Sequence, residues 1–560
     1  MRSRYEKNGG KSSSRRTFLQ STLVGGAAAA ISPTLLPGLA DATSAVRVSR
    51  TVPNEVNPVK TFELDEITIS ELQDGLNSGK FTARTLVEKY SARIDEIDKH
   101  GPAVNAVIEM NPDAFSIADE LDRERKAKGP RGPLHGIPVL IKDNIDTADR
   151  MMTTAGSLAL VGSKPPKDSF VAQKLRAAGA VILGKTNLSE WANIRSSHST
   201  SGWSGRGGLT KNPYALDRNP CGSSSGTGAG ISANLAAAGI GTETDGSIVC
   251  PSNANGLAGI KPTVGLVSRS GIIPISHTQD SAGPMCRTVR DAAILLSALT
   301  GVDPEDAATA ASTGKSQTDY ARYCDPNGLS GARIGVVRKY FGFSDAVDAL
   351  MEQSIDVMKK HGANIVDPAD ITTLGKFDDS ELLIFMYELK ADLNAYLAKL
   401  GPNAPVHSLK EIIDFNDRNR SREMPYFGQD LFVKAESKGP LTEKAYVDAV
   451  VKNHQLAGAE GIDAVMDKFH LDALVAPTGG PAWLTDLPNG DHSAGGSSNA
   501  AAVAGYPNIN VPAGFIFGLP VGLSFFGRAW SEPTLIKIAY SFEQATKARQ
   551  APKFLASITA

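Results

Sequence analysis

Ile334-Gly335-Val336-Val337 opens a stretch that closes on Ile365-Val366, with Ser344, Val347, Leu350, Met358 and Gly362 between them. A short apolar run bounded in this way suits a buried strand. Ser344 suits the cap of a helix, the apolar residues after it recur at helical spacing, and Gly362 suits the left-handed residue that ends it. The stretch predicts strand, helix, strand. Working outward, Asp168 can cap a helix running through Ala178, and Val181-Ile182-Leu183 then reads as a buried strand. Nearer the start, Thr68 and Glu71 form a capping box ahead of Leu72 and Leu76, while Leu86, Tyr90, Ile94 and Ile97 mark one face of a second helix. Strands alternating with helices predict a single α/β/α domain on a large mixed, mostly parallel sheet with helices on both faces.

Composition allows a full core. The 560 residues are 41% hydrophobic and 21% charged, which excludes wholesale disorder. A formal charge of -2 leaves no basic excess to hold nucleic acid. Four cysteines (Cys221, Cys250, Cys286, Cys324) are too few for a disulfide scaffold, and none forms a CxxC pair. Structural zinc and iron–sulfur clusters are therefore not expected.

Ser14-Arg15-Arg16-Thr17-Phe18-Leu19 places two arginines ahead of the apolar run from Leu23 to Ile31, and Ala40-Asp41-Ala42 fits a small-residue cleavage site. Residues 1–42 resemble a twin-arginine export signal, which implies a bacterial protein carried folded into the periplasm. That segment holds six basic and two acidic groups, so the chain from 43 to 560 would carry about -6. No later apolar run approaches the roughly 18 residues that span a bilayer, so stable membrane association is not expected. The Gly/Ser-rich stretch from Ser196 to Gly230 reads as ordered site loops between apolar segments, and residues 375–470 read as a helical cap or insertion.

Two motifs match in letters only. Gly179 to Thr186 satisfies the phosphate-loop pattern GxxxxGK[ST], but its middle residues are strand material and a helix precedes them, the reverse of the order that phosphate binding needs. Gly222-Ser223-Ser224-Ser225-Gly226 satisfies GxSxG, but the nucleophile elbow follows a hydrophobic strand, and here the preceding ten residues are polar and hold two prolines. His277, His407 and His492 could in principle serve such an elbow, yet none has a persuasive context.

Three other segments carry consistent chemistry. An apolar run, His135 to Ile141, delivers Lys142; Cys221-Gly222-Ser223-Ser224-Ser225-Gly226 supplies serines; and Gly241-Thr242-Glu243-Thr244-Asp245-Gly246-Ser247 supplies another. A helix of about 12 residues from Thr227 to Ala238, ended by Gly239, would travel roughly 18 Å, and an extended return of five residues covers about the same distance. The two serine segments can therefore meet. A serine hydroxyl needs a base to become a nucleophile. Lysine serves only when neutral, which requires a fall of about 3 units from its free pKa near 10.4. Burial without a paired carboxylate gives that shift, and an intervening serine relays the proton because its hydroxyl both donates and accepts. The turn Thr244-Asp245-Gly246-Ser247 offers backbone N–H groups as an oxyanion cradle.

These segments resemble the amidase signature family, whose members use a Ser–cis-Ser–Lys triad. The resemblance puts Lys142 in the lysine position, Ser223 in the bridging position after a cis peptide bond, and Ser247 in the nucleophile position. Gly184 to Glu190, Gly259 to Gly265, Gln279 to Pro284, and Asn508 to Leu523 extend the similarity over most of the chain, with a signature core at about 130–300 and an amidase domain over 43–560. Cys221 stands where the family usually has glycine, implying tighter packing, and Val249 stands where many members have arginine, so a small anionic amide lacks an obvious partner. Cys250 reads as a packed small hydrophobe rather than a second nucleophile.

The resemblance implies an amide hydrolase that works through an acyl-enzyme without cofactor or metal, on a small-molecule or peptide amide. Val249, Gln279-Asp280 and the export signal most resemble bacterial peptide amidases. A broad acylamidase on aryl or fatty amides, a glutamine-hydrolysing amidotransferase subunit and a non-catalytic amide-binding relative remain as alternatives.

Overall fold

The computed structural model describes residues 59–558, so the export signal read at 1–42 lies outside the described residues. Local chemistry sets the first elements. The Thr68 hydroxyl accepts from the Glu71 N–H, and the Glu71 carboxylate accepts from the Thr68 N–H at 2.8 Å, closing the capping box ahead of α1 (Ile69–Asn77). Leu86, Tyr90, Ile94 and Ile97 are all buried along α2 (Ala83–Arg93) and the wider helical turn Ile94–Lys99 that continues it. Asp168 does not cap the helix it precedes, α3 (Phe170–Ala177). The Ser169 hydroxyl does so, accepting from the Ala172 N–H. Asp168 is drawn away instead to the Ala148 N–H and to Arg176 at 3.0 Å.

Eleven strands form one sheet: β1 (Val107–Met110), β2 (Pro138–Lys142), β3 (Val181–Thr186), β4 (Ala238–Glu243), β5 (Ala258–Lys261), β6 (Ser281–Cys286), β7 (Arg333–Val336), β8 (Asn364–Val366), β9 (Ala473–Pro477), β10 (Asn508–Ile516) and β11 (Leu519–Phe526). Their order across the sheet is β1-β3-β2-β4-β6-β5-β10-β11-β9-β7-β8. The sheet is large and mixed, as expected, but its balance differs from the expectation. Parallel pairing is confined to β3-β2-β4 and β9-β7-β8, and the other neighbours are antiparallel. The strand–helix–strand units read from the sequence supply the parallel pairs. Antiparallel neighbours are joined in different ways: β10 and β11 by a tight turn at Phe517 and Gly518, both at positive φ, whereas β2 and two α-helices intervene between β1 and β3.

The stretch that opened the analysis folds as read: β7, then α4 (Asp345–Lys360) capped by Ser344, then Gly362 at φ 90, then β8. The helix between the serine segments is shorter than expected. It runs Ser225–Ser232, the chain turns at Asn234 in the left-handed region, and Gly239 lies inside β4 rather than at a helix end. Between 378 and 469 the elements are helical, beginning with α5 (Asp378–Lys399). Met386, Leu389, Leu393 and Leu397 of α5 close an apolar cluster with Trp191, Leu409 and Phe432. No helix among the described residues is long and apolar enough to cross a membrane.

Candidate active site

β2 is buried along its whole length and ends on Lys142, whose side chain is fully enclosed. Beside it β4 runs parallel and ends at Glu243, so the loops before Ser225 and after Glu243 meet over the same strand end. Open α/β sheets place functional groups at such carboxyl ends. Lys142 Nζ donates to Ser223 Oγ at 2.7 Å, to Thr242 Oγ1 at 2.9 Å and to the Thr242 carbonyl at 3.2 Å. All three acceptors are uncharged. Burial pushes the Lys142 ammonium down to about 7, against the pull of Asp280 and Glu243, which favour its charge.

Ser223 is fully buried and follows a cis Gly222–Ser223 bond. A Cβ on Gly222 would fall 2.1 Å from Ser189 Oγ, so no larger residue fits there. The Ser224 N–H donates to the Ser247 carbonyl at 3.2 Å, which ties the two serine loops together. The Ser224 hydroxyl donates to the Thr242 carbonyl at 3.0 Å. Ser247 lies at the edge of the buried set, 8% exposed. The preceding turn bends at Gly246, φ 79, a conformation costly for any side-chain-bearing residue. Among the described residues, the N–H groups of Asp245, Gly246 and Ser247 donate to no protein acceptor. Thr244 is held from behind: its hydroxyl donates to Asp280 at 2.6 Å and its carbonyl accepts from Gln279 Nε2 at 3.3 Å.

Gly222, Gly246, Val249, Asn193 and Trp483 line a cleft of about 230 Å³ beside Ser247. Val249 is buried in that wall. The cleft also corrects one reading. Cys250 is not a packed free thiol; it is disulfide-bonded to Cys221, with Cα atoms 6.0 Å apart. The bond joins the segment leading to Ser223 to the helix Val249–Ala254 behind Ser247. Cys286 and Cys324 are free and buried.

The rejected motifs behave as their context required. Gly184, Lys185 and Thr186 lie inside buried β3, and Lys185 Nζ donates to the Ile145 carbonyl at 2.6 Å and to Thr153 Oγ1 at 2.9 Å. No strand leads into Gly222-Ser223-Ser224. His277 is engaged by Asp392 at 2.8 Å, His407 by Glu411 and His492 by Asp486.

Several contributors escaped sequence reasoning. Thr242 supplies two of the acceptors around Lys142, and Asn144 Nδ2 donates to its hydroxyl at 3.0 Å. Glu243 accepts from the N–H groups of Ile248 at 2.7 Å and Val249 at 3.0 Å, so it caps the helix behind Ser247. All three lie within or beside the segments already quoted, but nothing in their spacing distinguishes them from strand filler.

The family described as Amidase matches residues 85–536. A probable amidase of Arabidopsis thaliana is 43% identical over 512 residues, covering 90% of this chain and 94% of the relative. The solved structure of the peptide amidase PAM with the competitive inhibitor chymostatin superposes with a TM-score of 0.86 at 50% identity, covering 88% of this chain and all of that one. The native peptide amidase from Stenotrophomonas maltophilia gives a TM-score of 0.84 at 50% identity, with 88% and 99% coverage. The chain therefore belongs to the amidase signature family and is an amide hydrolase.

Proposed function

We propose that this amidase removes the C-terminal carboxamide of peptides and releases ammonia, using Ser247 as nucleophile, Ser223 as relay and Lys142 as base. The contact that carries the reading is the 2.7 Å hydrogen bond from Lys142 to Ser223 in a pocket without a paired carboxylate. Ser247 Oγ bonds to the amide carbon as its proton passes to Ser223, whose own proton passes to neutral Lys142. The oxyanion rests on the N–H groups of the Thr244–Ser247 turn. Collapse expels ammonia, protonated along the return path. Water then attacks the acyl ester by the same relay and frees the acid and Ser247. The scheme uses no metal or cofactor.

The substrate assignment rests on Val249 in the cleft wall, which offers no cation to an anionic amide, and on the likeness to proteins named peptide amidases. Trp483 in the same cleft equally suits an aryl or fatty acyl group, so a broader acylamidase is the second reading. Purified enzyme should release equimolar ammonia and free acid from C-terminally amidated dipeptides. An anilide or fatty amide hydrolysed with a higher kcat/KM than every amidated peptide would favour the second reading. Export by the segment 1–42 belongs to the same proposal. A mature N-terminus near residue 43 in the periplasm, lost when Arg15 and Arg16 are replaced by Lys, is the expected result.

A further inference from the structure

Helix α5 takes no part in the chemistry above, yet it carries two buried carboxyls two turns apart, Glu381 and Glu388, that reach toward the catalytic loops. Glu388 grips the loop 276–278. Its Oε2 accepts from the hydroxyls of Ser276 at 2.5 Å and Thr278 at 3.0 Å and from the Thr278 N–H at 3.2 Å. Its Oε1 accepts from the Tyr446 hydroxyl at 2.7 Å. His277 and Asp392 stand close enough to complete a cation-binding set with Glu388, but both Glu388 oxygens are already engaged, so the cluster works as a clamp.

Glu381 reaches further. Its Oε1 accepts from Gln279 Nε2 at 2.9 Å, and the same amide nitrogen lies 3.3 Å from the Thr244 carbonyl. Its Oε2 accepts from Asn499 Nδ2 at 2.8 Å, and that nitrogen lies 3.5 Å from Asp245 Oδ2. One carboxyl thus holds two amide side chains, each of which also touches the turn that ends in Ser247. Asp280, next to Gln279, holds the Thr244 hydroxyl and accepts from the N–H groups of Ile275 and Ser276. The loop is pinned to α5 on one side and to the turn on the other.

We infer that Glu381 is a positioning residue for amide hydrolysis, and that through Gln279 and Asn499 it fixes the Thr244–Asp245 turn so that the backbone N–H groups before Ser247 point at the substrate oxygen. The inference rests on the proposed role of Ser247. Burial first, and the neighbouring Asp245 second, push the Glu381 carboxyl up to about 9. Both of its oxygens accept from side-chain amides, so glutamine keeps one of these contacts and sets a donor against the other. A turn misplaced by a fraction of an ångström loses transition-state stabilisation while ground-state binding is little changed.

The test is steady-state kinetics on one amidated dipeptide. Glu381→Ala and Gln279→Ala should each lower kcat by roughly 10- to 100-fold with KM within about threefold. Together they should cost little more than either alone, since both act through one chain of contacts. Glu381→Gln keeps one acceptor and loses the other, so its kcat should fall between those of the native enzyme and Glu381→Ala. Losses that multiply in the double variant, a change confined to KM, or a Glu381→Gln variant with native kcat would overturn the inference. An unchanged Glu381→Ala beside an inactive Ser247→Ala would sink the brace alone, whereas an active Ser247→Ala would sink the nucleophile assignment beneath it.

Discussion

Lys142 and Lys185 occupy neighbouring parallel strands, with Lys185 opposite Ile141 in the register of β2 and β3, and both side chains are fully buried. Burial pushes both ammonium groups down. Around Lys185, the carboxylates of Asp143, Asp146, Asp149 and Glu109 act against that shift, and the hydrogen bonds go to a carbonyl and a threonine. Lys142 has only two such opponents, Asp280 and Glu243, and one of its bonds reaches a serine beside a solvent-facing cleft. On the proposed mechanism, the same residue type at adjacent strands is structural in one place and proton-accepting in the other. Counter-charge and the onward path of the proton decide which, because a buried amine stabilised as a cation cannot act as a base at neutral pH.

That contrast can be broken most directly at the chemistry. Ser247→Ala should lower kcat by about 10⁴-fold or more, and Lys142→Ala by about 10³-fold, with the thermal midpoint little changed by the first. Lys185→Met should do the opposite. It leaves the Ile145 carbonyl and the Thr153 hydroxyl without their buried donor, so unfolding free energy should fall by about 3 kcal/mol while the folded fraction keeps most of its kcat. If the two lysine variants lose activity alike with stability intact, the contrast fails.

Two smaller effects sharpen it. The Cys221–Cys250 bond closes a loop of sequence separation 29 around both serine segments, so Cys221→Ala with Cys250→Ala should cost about 3 kcal/mol in denaturant unfolding. Reductant should reproduce that loss in the native chain and leave the double variant unmoved. The pH dependence is the mildest test. Only neutral Lys142 accepts a proton, so kcat/KM should fall about tenfold per unit below pH 7 and level off above it. A limb governed instead near pH 10 would mean that Lys142 titrates as an ordinary surface lysine.

Much of the site was legible because its segments are local. The strand that buries Lys142, the two serine runs and the glycine turn at Gly246 are each short, and each had a reason in the residues around it. Misreadings arose where neighbours compete. Asp168 looked like a cap, but Ser169 has the hydroxyl one residue nearer the helix, and Arg176 supplies a better partner for the carboxylate. The helix after Ser225 ended early because Asn234 turns the chain left-handed before Gly239 is reached. Glu381 carried no sequence signal at all, since the residues it holds lie 102 and 118 positions away.

Along the chain, apolar spacing, caps and glycines were enough to specify most of the elements, because those choices depend on residues within a turn or two of each other; Lys142, Ser223 and Ser247 stood out through short segments that resemble the amidase signature. Which thiols meet, how far antiparallel pairing extends, and which carboxyl of a distant helix steadies the nucleophile's turn depend on strand order and on how loops stack across the sheet. Such contacts join residues far apart in the chain, and only the packed fold brings them within bonding distance.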